Sequence, residues 1–185
     1  MNLSKQINLR KDEKAKTESY FSTTEMVAVN TDLIKYLTTQ LSKNDQSSIR
    51  ISLHKDAQAT FHQMIIAHRK GHYYRPHKHL KKVEAYHLIS GAIQVVIYDD
   101  QGHVDKSVRV AAPGEEMRAE VPFIYRIGAN HWHCVIPLTE IVVFHEAKEG
   151  PFIAEEDSLY PPWAPDGKNR EIAMQYIDKI LSGTV

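Results

Sequence analysis

A single cysteine, Cys134, stands among the 185 residues, so no internal disulfide can form. That scarcity suits a reducing compartment. Charge of one sign is missing too: 23 Lys and Arg balance 23 Asp and Glu. With no basic block and no interleaving of aromatic and basic residues, nothing suggests nucleic acid as a partner. No apolar run approaches the ~20 residues that cross a bilayer. Residues 1–10 lack the apolar core of a signal peptide. The expectation is a soluble, cytoplasmic protein that does not engage a membrane. Internal repeats are absent, as is the strand–helix alternation of a parallel sheet.

Histidine is abundant by contrast. All eleven histidines fall between His54 and His145, which marks that segment as the chemical centre. Within it, Gly71-His-Tyr-Tyr-Arg-Pro-His77-Lys-His79-Leu-Lys-Lys-Val-Glu84 is the densest stretch. On a strand, residues two apart share a face, so His77 and His79 are presented as a pair. Glu84 opens the apolar run Ala85 to Ile89, and a short loop could fold its carboxylate back beside the two imidazoles. Two nitrogens and an oxygen suit a borderline divalent metal.

The spacing Gly71, five residues, His77-x-His79, four residues, Glu84, six residues, Gly91 resembles the first signature of the cupin superfamily. The resemblance implies a double-sheet jelly roll. It also implies that these three side chains bind a metal and that a histidine from a second motif completes the site. His133, in Gly128-Ala-Asn130-His131-Trp132-His133, is the candidate. The family's usual Pro-x-Gly is replaced, and Asn130 could keep the turn because Asn accepts a left-handed backbone. His131 could compete for the fourth position.

In chain order, residues 1–24 form a polar arm, expected to be poorly ordered unless it packs on a partner. Residues 25–48 form a helical segment: Asn30 or Thr31 can cap it, and Leu33, Ile34, Leu37 and Leu41 recur at helical spacing up to about Lys43-Asn44-Asp45. Residues 49–150 carry the barrel. Strands are expected over 50–54, 61–68, 73–79, 84–89, 92–98, 104–110, 117–121, 123–127, 132–136 and 140–147, separated by turn signals such as Asp99-Asp-Gln-Gly102 and Ala111-Ala-Pro-Gly114. Residues 151–185 form a turn-rich loop, pinned by Trp163, and a final helix from Lys168 or Asn169 to about Leu181 with Ile172, Tyr176, Ile177 and Ile180 on one face. The fold class is mainly β: a cupin double-stranded β-helix, or jelly-roll barrel, with an N-terminal and a C-terminal helix.

Further features are similar to the WbuC-type cupin metalloproteins, whose genes occur in bacterial surface-polysaccharide clusters. They are Arg50-x-Ser-x-His54, Tyr74-Arg-Pro-His-Lys-His79, Glu84, Tyr98-Asp-Asp-Gln-Gly102, Trp132-His133, Glu146-Ala-Lys-Glu-Gly-Pro151 and Pro162-Trp-Ala-Pro165. The resemblance covers roughly residues 50–166 and implies a metal-binding barrel without naming a reaction. The metal set is then His77, His79, Glu84 and His133, for one divalent ion of Fe, Mn, Zn, Co or Ni.

By the period of two, Tyr73 and Arg75 share the face of the ligand histidines and are candidates to bind substrate. Arg75 would clamp a carboxylate or phosphate, or else pair with Glu146 or Glu120. Tyr86 and His131 are candidates for proton transfer, Tyr86 alternatively being a packed core tyrosine. Either His62 or Gln63 points inward and could support a ligand. The leading expectation is a metal-dependent enzyme, an isomerase, epimerase, lyase or oxygenase, acting on a small polar molecule such as a sugar or sugar-nucleotide in surface-polysaccharide metabolism. A non-catalytic metal- or ligand-binding cupin is the alternative. The resemblance to cupins, which commonly pair through their sheets, also implies a homodimer, with one of the terminal segments contributing.

Overall fold

The structure, a computed structural model, describes residues 7–43, 46–115 and 118–183. The strands are β1 (Leu9–Lys11), β2 (Glu18–Ser22), β3 (Ser48–Ser52), β4 (Phe61–Arg69), β5 (Glu84–Ser90), β6 (Ala92–Tyr98), β7 (Val104–Ala111), β8 (Ile124–Ile127), β9 (Trp132–Pro137) and β10 (Ile141–Glu149). The helices are α1 (Thr31–Lys43), α2 (Ala154–Asp157) and α3 (Arg170–Ser182). A seven-stranded sheet runs β1-β2-β3-β4-β10-β5-β8, and a three-stranded sheet runs β7-β6-β9. All neighbours are antiparallel except β2 and β3. The two sheets face each other as a double-sheet jelly roll that stays open, with no strand ladder joining them among the described residues.

Three apolar layers follow from strand alternation. Between the sheets lie Met64, Ile66, Tyr86, Leu88, Ile93, Val95, Ile97, Val135, Val142 and Phe144. The intervening residues Ile49, Ile51, Ile65, Ala67 and Val143 point outward and are covered by Leu33, Leu37 and Leu41 of α1. On the other sheet Val96, Tyr98, Cys134 and Ile136 are covered by Ile177 and Ile180 of α3. Strands buried on both faces read as continuous apolar runs, which is why β4 and β6 alternate so weakly in sequence. Each leucine of α1 is at most 2% exposed, and such burial contributes roughly 1.5–3 kcal/mol per side chain.

Both long helices start as expected. The Asn30 side-chain oxygen accepts from the amides of Asp32 and Leu33 at 3.1 Å each, and that of Asn169 accepts from Ile172 at 3.2 Å. On α3 the inward face differs from expectation. Ala173 is buried there while Ile172 is 54% exposed. Trp163 pins the C-terminal loop, its ring 5.0 Å from Tyr98 and 6.0 Å from Trp132. It lies so close to Gly102 that a Cβ there would sit 2.6 Å from the indole.

Three expectations need correction. Residues 1–24 are not a loose arm over their described part: β1 and β2 add to the edge of the larger sheet, with Ile7 and Phe21 buried. Residues 73–79 are an extended loop whose only ladder contacts are two isolated bridges, His77 with His133 and Lys78 with Leu159. In the stretch expected as a strand over 117–121, Arg118 is irregular, residues 119–121 are turn and bend, and Met117 lies outside the described residues.

Candidate metal centre

The two histidine motifs meet through the backbone. The amide of His77 donates to the carbonyl of His133 at 2.9 Å, and the amide of His133 returns a bond of 2.9 Å to His77. Asn130 closes the turn with φ 62°, the one positive φ outside glycine among the described residues, and its amide donates to the His79 carbonyl at 2.7 Å. Thus Asn130 keeps the left-handed turn expected of it. β5 brings Glu84 in from the facing sheet, on the inward side shared with Tyr86 and Leu88.

His77, His79, Glu84 and His133 each offer one ligand atom, and all four lie within 4.8 Å of one another. Two metal–ligand bonds placed end to end span roughly 4.2 Å, so the group is of the right size for one ion. The ring centroids of His77 lie 5.0 Å from His79 and 4.4 Å from His133. His79, Glu84 and His133 are buried, and His77 is half-buried.

The outer nitrogens are already committed. Nδ1 of His77 donates to the Arg75 carbonyl at 3.1 Å, and Nδ1 of His133 donates to the His131 carbonyl at 2.8 Å. Nδ1 of His79 donates to the Asp157 carbonyl. Each bond fixes the tautomer that leaves Nε2 as a lone pair, the arrangement usual for metal-ligating histidine.

Glu84 Oε2 lies 3.2 Å from His79 Nε2, and Oε1 lies 2.5 Å from His133 Nε2. That last nitrogen is buried and makes no hydrogen bond of acceptable geometry. A buried imidazole nitrogen pressed against a carboxylate without a properly placed proton is costly, and a cation shared between them would satisfy both. The residues therefore fit a divalent ion.

Charge states agree with that reading. Burial favours a neutral Glu84, but the adjoining imidazoles of His133 and His79 outweigh it and hold the carboxyl well below its usual range. Burial, helped by the neighbouring His133, pushes His77 down to about 3. Burial also opposes charge on His133, yet the contact with Glu84 prevails and raises it.

The remaining expected residues divide. Tyr86 is buried against Phe144 and its hydroxyl donates to Glu84 Oε1. Burial and the Glu84 charge raise its phenol well above the usual value. Arg75 stacks over Tyr160, 4.9 Å from the ring centroid, and donates to the Pro161 carbonyl at 3.2 Å. The Tyr160 ring in turn lies 6.3 Å from that of His77. Arg75 therefore flanks the mouth of the centre, with Nε buried and without a hydrogen-bond partner. The expected ion pairs to Glu146 or Glu120 do not form among the described residues.

Tyr73 and His131 do not join the site. The Tyr73 hydroxyl donates to the Pro165 carbonyl at 2.9 Å and the ring packs with Tyr176 in the layer beneath α3. It escapes the period of two because residues 73–79 are not a regular strand. His131 is exposed, with Nδ1 2.9 Å from the Ala129 carbonyl, and contributes to the centre only the main-chain oxygen that orients His133. Of the pair on β4, His62 is the inward residue, 3% exposed and stacked on His54 at 4.2 Å.

Other polar residues around the centre were not among the expected ligands. Glu146 lies opposite Tyr86 in the β10–β5 register, on the inward face of β10. Burial, then the Glu84 charge, raise its carboxyl. Buried Asp157 and partly buried Lys82 and Lys148 form an ion cluster behind His79. The sequence marked Glu146 as a partner for Arg75 and within the resemblance, not as a neighbour of Glu84, and nothing in the turn-rich segment distinguished Asp157.

A family model described as a domain of unknown function, DUF6016, matches residues 29–110. That stretch holds His77, His79 and Glu84 and ends before His133. Comparison with curated proteins finds no match. Among solved structures the chain is similar to a mutant of Bacillus subtilis oxalate decarboxylase at 15% identity and TM-score 0.45, over 61% of this chain and 27% of that one. It is similar to KdgF from Halomonas sp. at 11% identity and TM-score 0.44, over 59% and 84%. It is also similar to CapF with the inhibitor 3-isopropenyl-tropolone at 14% identity and TM-score 0.49, over 64% and 32%. The chain thus spans about a quarter of the decarboxylase and a third of CapF.

Proposed function

We propose that this protein is a metal-dependent enzyme of the WbuC type, acting on a small polar molecule such as a sugar or sugar-nucleotide in surface-polysaccharide metabolism. One observation supports the metal most directly. Three imidazoles have Nδ1 tied to main-chain carbonyls, and His79 and His133 set Nε2 against Glu84, with the His133 nitrogen left unsatisfied beside it. The polysaccharide context rests on the resemblance of residues 50–166 alone.

His77, His79, Glu84 and His133 would hold the ion, which as a Lewis acid would polarise a carbonyl or hydroxyl oxygen or activate water. The protein's own groups supply the rest. Tyr86 keeps its proton on Glu84 Oε1 and fixes that carboxylate's orientation. Half-buried His77 marks the side open to a ligand, and Arg75 stands at that mouth, suited to a carboxylate or phosphate. Glu146, held toward its neutral form, is placed to exchange a proton inside the barrel.

A non-catalytic binding role is favoured by one observation: the hydroxyl of Tyr86, the buried tyrosine expected to transfer protons, is occupied by Glu84. Elemental analysis of the wild type beside His77→Ala separates these readings. Near one iron, manganese, cobalt or nickel per chain, lost in the variant, supports the enzyme, because an octahedral ion with four protein ligands keeps open positions. One tightly held zinc supports the binding role, since a tetrahedral ion with four ligands is closed. No metal in either protein after reconstitution would remove both. We propose further that the chain is a homodimer, paired through the half of the larger sheet that α1 leaves uncovered.

A further inference from the structure

His79 is oriented differently from the other two histidines. His77 and His133 each bond to a carbonyl two residues away, so their orientation is set within their own segments. The carbonyl that orients His79 belongs to Asp157, 78 residues away, at the end of the four-residue helix α2.

Asp157 is itself held firmly. It is 5% exposed, while its neighbours Glu155 and Glu156 are exposed. Its carboxylate takes Lys82 Nζ at 2.9 Å on one oxygen and Lys148 Nζ at 3.0 Å on the other. Lys82 also donates to the Pro151 carbonyl at 2.6 Å. A two-way backbone bridge between Lys78 and Leu159, 3.0 Å in each direction, fastens the far side. Residues 151–160 therefore lie as a strap across the segment that carries His77 and His79.

We propose that Asp157 is the positioning residue of the metal centre: clamped by Lys82 and Lys148, it holds the strap so that its carbonyl aims His79 Nε2 at the ion. The inference rests on the metal-centre reading and deepens it. Ion binding and strap docking are then linked, and by reciprocity each strengthens the other. A group that orients a ligand histidine typically changes metal affinity about 10- to 100-fold when lost. The strap ends in Tyr160 and leads directly into Pro161, and the two hold Arg75, so the mouth of the site depends on the same docking.

The test uses the full chain and zinc alone, with two readouts. Zinc affinity is measured by competition with a chelator for wild type, Asp157→Ala and Lys82→Met, the second variant loosening the clamp from the other side should the first fail to fold. In parallel, cleavage after Glu155 and Glu156 by a glutamate-specific protease is timed for each protein with and without zinc.

The expected result is an affinity about tenfold or more weaker in the variants. Zinc should slow strap cleavage in the wild type and protect the variants less at equal zinc occupancy. A wild type that binds zinc but is cleaved equally fast with and without it, or a folded variant with wild-type affinity, overturns the proposal and leaves the metal centre standing. A wild type that binds neither zinc nor any other divalent metal overturns both.

Discussion

Glu84 is held from two sides, by the imidazoles of His79 and His133 and by the hydroxyl of Tyr86. Tyr86→Phe removes one donor and keeps the ring against Phe144. Losing a hydrogen bond to a charged group costs about 1.5–3 kcal/mol where the acceptor stays buried. The variant should therefore melt lower in the metal-free form and bind zinc about tenfold more weakly. Thermal melts and a chelator-competition titration measure the two effects, and wild-type values in both would show that Tyr86 only fills space. At this scale the sequence was most informative where spacing carried the meaning. His77, His79 and Glu84 converge because their motif leaves little freedom, and His133 follows from the second motif. Tyr73 was misplaced because alternation was extended into a loop. Asp157 was invisible because it acts through a main-chain oxygen, which any residue type could supply.

Among the elements, β4, β6 and β9 were legible from composition, since strands covered by a helix on one side and a sheet on the other need apolar residues on both faces. β1 and β2 were not, because their burial comes from β2 pairing with β3 and β1 with β2 at the sheet edge and leaves little apolar pattern of their own. Between β5 and β6, Gly91 ties the elements to chemistry, since Glu84 and Tyr86 sit on the strand that it ends. Its φ is 77°, and a Cβ there would lie 2.3 Å from the Thr139 hydroxyl and 2.9 Å from the Ile141 carbonyl. Gly91→Ala must distort the β5–β6 turn or push β10 away, at about 2–4 kcal/mol from the left-handed strain and the overlap together. Urea unfolding should show that loss. A change below about 0.5 kcal/mol would mean that the turn relaxes without disturbing its neighbours.

Over the whole molecule the order is α1, larger sheet, smaller sheet, α3, and the cover is incomplete. α1 packs on the β3–β4–β10 half of the larger sheet, with Leu33, Leu37 and Leu41 against Ile49, Ile51 and Val143. Ile89 of β5 still packs against that cluster, and beyond it the outer face around His87 and β8 remains open. His87 is exposed, Ile124 directly opposite it is 52% exposed and Phe123 is 46% exposed. β8 is also the end of its sheet, so its outer edge has no strand partner among the described residues. Apolar side chains beside an unpaired edge invite pairing unless something covers them. A second copy related by a two-fold axis is the simplest cover, because the same patch then serves both chains. Light scattering at micromolar concentration should give twice the 21.2 kDa of one chain. Ile124→Asp, which places a charge in the proposed contact without touching the interior, should shift the mass to that of a monomer while leaving zinc affinity unchanged. A wild-type monomer would refute pairing altogether. A dimer indifferent to the substitution would move the contact to another face.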